Sequence, residues 1–365
     1  MRVLLATLLA IAIPVSTLGQ SVSRFYVGSL RPGPAAPIST CTLDPATGII
    51  SLIDTMSLLQ GPGYLALAPA TRSLYAVTQS NEVVALAIDT QGRLTIRNRQ
   101  PVGAVNPCHL SVAPSGQAVF TTTYTGGTIA VFPLQSDGQL SPASQQLQLA
   151  GTGPHPTRQD RSHAHCVVAS GESVFVTDLG ADRIMNYRFQ PTSATLVPNP
   201  GQAAFSGVAG AGPRHLVIHP NGRRAFLLNE LSGTLVSLRI SRHGVLSAVQ
   251  TVSTLPVSFT QPNTAAAVRL HPNGQFVYVS NRGFDGITAF RIRAGGTLKQ
   301  VDQQQQGIHM PRDFAIDPSG RFMLVGNMQT DELVVYAVNP RTGRLRFRRV
   351  QAGFARPTCL VFEPR

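Results

Sequence analysis

Gly212-Pro213-Arg214-His215-Leu216-Val217-Ile218-His219-Pro220-Asn221-Gly222 sets the frame in which the whole chain is read. A Gly-Pro entry and a polar pair lead into a short apolar run, which closes on Pro-x-Gly before a second run, Phe226-Leu227-Leu228. The phrase returns at Gly61-Pro62-Gly63-Tyr64-Leu65, at Asn106-Pro107-Cys108-His109-Leu110 and at Met310-Pro311-Arg312-Asp313-Phe314. Degenerate copies run from His163-Ala164-His165-Cys166 and from Ala265-Ala266-Ala267-Val268, and a half-copy ends the chain at Pro357-Thr358-Cys359-Leu360. Aligned on positions 69, 114, 170, 220, 272, 318 and 364, the copies recur about every 49 residues.

Each copy also holds a second pair of runs such as Thr234-Leu235-Val236-Ser237-Leu238, with a Gly-x-Leu turn at Gly244-Val245-Leu246. Short apolar runs punctuated by Gly and Pro, with no long stretch of period 3.6, read as strands, four to a copy. The expected fold is therefore all-β, a seven-bladed β-propeller with four-stranded blades. The last copy stops after one strand, while Arg24-Phe25-Tyr26-Val27-Gly28 reads as a second strand. The N- and C-terminal strands are thus expected to share the closing blade, so that no edge is left open. No linker interrupts the phase, and residues 20–365 are expected to form one domain.

Residues 1–19 read as a secretory signal peptide: Arg2 precedes the apolar run Val3 to Ile13, and Thr17-Leu18-Gly19 ends in small residues. An exported protein, periplasmic or secreted, is expected, with no membrane span after the leader is removed; the other reading of these residues is a buried strand or an uncleaved anchor. Cys41, Cys108, Cys166 and Cys359 lack the C-x-x-C spacing of zinc or redox sites, and a chain of this size has no need of disulfide staples. The net charge of +13 comes from scattered arginines, Lys299 being the one lysine, without Trp or a basic run, so no nucleic-acid partner is expected. Nothing in the sequence specifies an oligomeric state.

The alignment makes Tyr64, His109, His165, His215, Ala267, Asp313 and Cys359 equivalent, each at the start of an innermost strand, with Arg214 and Arg312 just before two of them. The ends of the following strands, at Thr78, Thr123, Asp178, Asn229, Asn281 and Asn327, should return to the same face, followed by Glu230 and Arg282 in two blades. For any one histidine, satisfying backbone groups at a wet channel mouth is a sufficient explanation. Three histidines in phase, with Arg214, Glu230 and Arg282 converging, would instead cluster bases with anion-holding guanidiniums.

These residues resemble the β-propeller lactonases, a family that includes propeller-type 6-phosphogluconolactonases and the fungal 3-carboxy-cis,cis-muconate lactonizing enzyme. The resemblance spans nearly the whole chain after the leader. Its most specific stretches are Arg158-Gln159 with His163-Ala164-His165, Asp178-Leu179-Gly180-Ala181-Asp182-Arg183, Gly212 to Leu216, Asn229-Glu230-Leu231-Ser232, Ser253-Thr254-Leu255-Pro256 and Ser280-Asn281-Arg282-Gly283. The resemblance implies His165, Glu230, Arg214 and Arg282 as catalytic residues. Substrate-binding candidates are His109, His215, Asn229, Asn281, Arg312 and Asp313 from the two rings, joined by Arg158 and Gln159. The pattern departs at Ser162, where the family often has Pro, and at Ala267, where many members are acidic.

The expected activity is metal-independent hydrolysis of a sugar-acid lactone, without a cofactor, on a small lactone or organic-acid anion. Clustered carboxylates of the calcium-binding kind are missing from the sequence. The alternatives are a lactonizing cyclase using the same arginines, and a non-catalytic propeller that serves as a binding module.

Overall fold

The computed structural model describes residues 22–364 apart from 32, 34 and 35, so the leader expected at residues 1–19 lies outside the described residues. Seven antiparallel sheets carry the chain, six of four strands and one of five. Their innermost strands are Tyr64–Ala68, Pro107–Val112, Ala164–Ser170, Pro213–Ile218, Thr264–Leu270, Pro311–Ile316 and Pro357–Phe362, which define blades 1 to 7 in that order. Blade 3 owes its extra member to Ala204–Ser206, which pairs with Arg183–Gln190. The only helical elements among the described residues are 3-10 turns at Pro69–Thr71 and Ala294–Gly296.

The expected closure is present. Ser23–Ser29 pairs antiparallel with Pro357–Phe362, bringing Phe25 opposite Phe362 and Val27 opposite Leu360. The Tyr26 hydroxyl donates to Glu363 at 2.7 Å and Arg24 reaches the same carboxylate at 3.3 Å, so the first and last strands are joined through backbone and side chains.

Position within a blade explains the residue pattern. Second strands such as Ala118–Thr123 and Phe276–Arg282 are packed on both faces by neighbouring blades and are almost wholly buried, so they read as continuous apolar runs. Outer strands such as Leu345–Ala352 are far more exposed, with Leu345 buried, Phe347 half-buried and Arg346 between them turned toward solvent. Each fully buried Phe or Leu of the second strands contributes about 1.5–3 kcal/mol relative to exposure. The four cysteines are free thiols, Cys41, Cys166 and Cys359 being buried.

One expectation of the alignment is corrected. Inner and second strands are joined by four intervening residues in blades 2 and 4, where Ala113 bonds Ala118 and His219 bonds Arg224. In blade 3 Ser170 pairs directly with Ser173, leaving a two-residue turn. The shorter turn moves the phase of that copy by one position, so Cys166, and not His165, is equivalent to His109 and His215. His165 is instead equivalent to Cys108, Arg214 and Arg312, each of which sits at an irregularity between Pro107 and His109, Ala164 and Cys166, Pro213 and His215, or Pro311 and Asp313. Successive residues of a strand face opposite ways, and a bulge re-aims one of them. The slip therefore decides which end of the channel a side chain serves.

Candidate active site

The bulged residues converge. Cys108, His165, Arg214 and Arg312 line a cavity of about 380 Å³ together with Asn106, Tyr124, Arg158, Glu230, Thr264 and Arg282. Glu230 and Arg282 arrive from the ends of the second strands of blades 4 and 5, one step beyond Asn229 and at the last residue of Phe276–Arg282. Tyr124 occupies the matching place in blade 2, directly after Thr123. The chain enters the inner strand of blade 4 through Gly212, whose φ of +68° suits glycine and whose missing Cβ leaves room for Leu231. That tight entry fixes the start of the strand on which Arg214 is bulged.

Glu230 is the hub of the site. Its carboxylate lies 2.8 Å from Arg214 Nε, 3.3 Å from Arg282 and 3.9 Å from His165 Nε2, and it accepts a 2.7 Å hydrogen bond from Arg158. Burial alone would raise its pKa, yet the guanidiniums of Arg282 and Arg214 hold it well below the usual carboxylate range. Arg214 is among the most deeply buried side chains of the protein and also donates to the Ala266 carbonyl. Arg282 donates to the carbonyls of Thr264 and Ala265; burial and the repulsion of Arg214 push its pKa down to about 9, still a cation at neutral pH.

His165 is buried among these charges. Burial first, and then Arg214, lower its pKa well below 6.5, which leaves a neutral imidazole at pH 7 despite the opposing pull of Glu230. Among the described residues its Nδ1 has no hydrogen-bond partner. Tyr124 packs edge-on to His165 at 5.6 Å, stacks on His163 at 4.3 Å, and accepts a 3.1 Å hydrogen bond from Arg158 Nε. Tyr124 escaped the sequence reading although the phase that gave Glu230 and Arg282 also points to it.

The remaining candidates separate. His109 and His215 do not join this cavity; they line a second one of about 700 Å³ with Tyr64, Cys166, Arg269 and Cys359, which extends along the inner strands to the turns at Pro69, Pro318 and Pro364. His109 there packs on Tyr64 at 4.1 Å and on His215 at 5.5 Å, while His215 meets His165 at 5.5 Å across the partition between the cavities. Asp313 likewise turns away, holding Arg269 at 2.8 and 3.0 Å. Asn229 donates to Thr234 at 3.0 Å, Asn281 accepts from Asn263 at 2.9 Å, and Gln159 is buried and donates to the Leu179 carbonyl at 2.9 Å. These three brace the strand ends and the loop that carries Arg158. Ser162 also has a bracing role, donating to Asp178 at 2.8 Å. Among the described residues no three His, Cys, Asp or Glu side chains converge as a metal-ligand set, and the guanidinium-lined cavity is a donor environment for an anion.

Comparison with known proteins identifies the family of the propeller. A family described as "Lactonase, 7-bladed beta-propeller" matches residues 24–362. The chain is 32% identical to a 6-phosphogluconolactonase of Bacillus subtilis over 92% of this chain and 97% of that protein. Identity is 31% to the 6-phosphogluconolactonase of Pectobacterium carotovorum, over 82% of this chain and 88% of that protein. Among solved structures, the periplasmic gluconolactonase PpgL of Pseudomonas aeruginosa superposes with a TM-score of 0.88 at 30% identity, covering 94% of this chain and 99% of that one. With its whole propeller matched, from the strand that closes the ring to the last inner strand, the chain belongs to the seven-bladed β-propeller lactonase family.

Proposed function

We propose that the protein hydrolyses a sugar-acid lactone in the arginine-lined cavity, with His165 as the base. The observation that carries this reading is the neutral imidazole of His165 beside an ionised Glu230 that three guanidiniums hold in place. Water attacks the lactone carbonyl carbon while His165 takes its proton. Arg214 and Arg282 stabilise the negative charge that develops on the carbonyl oxygen. The ring C–O bond then breaks, the imidazolium returns its proton to the leaving alkoxide, and an open-chain hydroxy acid results. Glu230 is held ionised by the surrounding guanidiniums. Its part is to orient the arginines and to stabilise the imidazolium while it exists.

A positioned base is worth about 10²–10⁴ in rate and each oxyanion donor about 10²–10³. The names of the relatives, 6-phosphogluconolactonase and periplasmic gluconolactonase, support an aldonolactone as substrate. The signal-like residues 1–19 support export, where lactones outside the cytosol would be met. A pH-stat screen of the purified mature chain against phosphorylated and unphosphorylated aldonolactones tests the reading. Acid release well above the buffer rate is expected; turnover no faster than buffer with every lactone would leave a binding module.

A further inference from the structure

Four guanidiniums line the cavity, and three of them touch Glu230; Arg312 does not. We propose that Arg312 is the recognition residue for an acidic group, carboxylate or phosphate, that the substrate carries at a distance from its scissile carbonyl. The proposal rests on the lactonase reading and deepens it: Arg312 is the residue that sets the preference between anionic and neutral lactones.

Ring geometry is the first support. Arg312 is the bulged residue of blade 6 and His165 that of blade 3, so two blades lie between them on one side of the ring and three on the other, and they are nearly opposite each other across the channel mouth. Blade 5, between Arg214 and Arg312, places the fully buried Ala266 and Ala267 at the corresponding positions, and neither lines the cavity that the two guanidiniums share. A lactone whose carbonyl sits by His165 and Arg214 can extend toward Arg312 within the same cavity of about 380 Å³.

Charge is the second. With His165 neutral, one carboxylate faces four guanidiniums, and the cavity holds an excess of three positive charges. Among the described residues the Arg312 guanidinium has neither an ion pair nor a side-chain hydrogen bond, unlike the other three, which each meet Glu230. The adjacent carboxylate, Asp313, is committed to Arg269. Burial and the nearby Arg214 push the Arg312 pKa down to about 10, as expected of a cation without a counter-ion. A half-buried guanidinium left unpaired is costly, and a planar, bidentate anion is the ligand that relieves it.

The test compares Arg312→Gln and Arg312→Lys with the wild type on three probes: glucono-1,5-lactone, which is neutral, glucaro-1,4-lactone, which carries a carboxylate, and 6-phosphogluconolactone. For Arg312→Gln the ratio of kcat/KM on an acidic lactone to that on the neutral one should fall about 10- to 100-fold, through KM, with part of the loss restored by Lys. A fall confined to the phosphate or to the carboxylate probe identifies the acidic group. An unchanged ratio, with neutral and acidic lactones losing equally or not at all, overturns the assignment. If wild type hydrolyses none of the three, the lactonase reading fails by itself, and calorimetry with inorganic phosphate still decides the subsite. Binding at least 10-fold weaker in the Gln variant supports it; equal binding, or none by wild type, overturns it.

Discussion

Arg214 Nε and Glu230 Oε2 lie 2.8 Å apart in side chains that are each at least 95% buried, and this pair organises the cavity. The same carboxylate also meets Arg158 and Arg282, so it holds in register three blade positions that are distant in sequence. Breaking a buried pair from one side leaves the partner charge uncompensated. Glu230→Gln is therefore expected to destabilise the fold by about 3–5 kcal/mol, read from denaturant midpoints, and to displace Arg158 and Arg282. Because the folded-state pKa of Glu230 is depressed, its stabilising contribution is full above the unfolded carboxylate value of about 4.3 and is lost as pH falls toward the folded value. The gap between wild type and Glu230→Gln should thus stay constant from neutral pH to about pH 5 and narrow below it.

Stability should also report the buried histidines. His109, His165 and His215 all have pKa values lowered well below 6.5, by burial first and then by Arg269 and Arg214 for His109, and by Arg214 for the other two. In the unfolded chain they bind protons near pH 6.5, so between that value and their folded pKa the unfolded state holds more protons and stability falls as pH falls. The slope is up to about 1.4 kcal/mol per pH unit for each histidine. His215→Gln should flatten the decline in unfolding free energy between pH 6.5 and 5 by one histidine's share; an unchanged slope would show that His215 titrates normally.

Tyr124→Phe removes only the hydroxyl that accepts from Arg158 and keeps the stack on His163. One hydrogen bond of this kind is worth about 1 kcal/mol, so KM for the lactone should rise about 5-fold with kcat nearly unchanged. A drop in kcat without a change in KM would place Tyr124 at the reacting atoms.

Gly180 lets the turn of blade 3 lie against the loop that delivers Arg158. A Cβ there would overlap the Arg161 carbonyl oxygen, and His163 N lies 3.0 Å from the same point. Gly180→Ala should push residues 158–163 outward, weaken lactone turnover by displacing Arg158, and lower Tm. Wild-type Tm and kinetics would show that the loop yields without cost.

The repeat made the fold legible because every copy must supply the same strand buried on both faces. Phe226-Leu227-Leu228 and Phe276-Val277-Tyr278-Val279 announce themselves by continuous apolar content. Closure was legible because Arg24 to Gly28 and Pro357 to Leu360 are each half of one copy. The site was legible only in part. Arg214, Glu230 and Arg282 fall in place by phase alone, whereas His165 was grouped with His109 and His215 because Ser170 looks like a substitute for the closing proline. Blade 3 has in fact a two-residue turn, and a one-residue slip exchanges the two ends of the channel. Bulges leave no compositional mark, so the opposite facing of Arg312 and Asp313 could not be read from the repeat either.

The role proposed for His165, base of a lactone hydrolysis beside the Glu230 hub, is open to direct kinetic test. Its most direct measurement is steady-state lactone turnover by pH-stat for wild type and His165→Gln, with circular dichroism showing both folded. Wild type should turn over steadily, its acid limb well below pH 6.5, and the variant should lose about 10²–10⁴ in kcat. Wild-type kcat in folded His165→Gln would show that another group takes the proton.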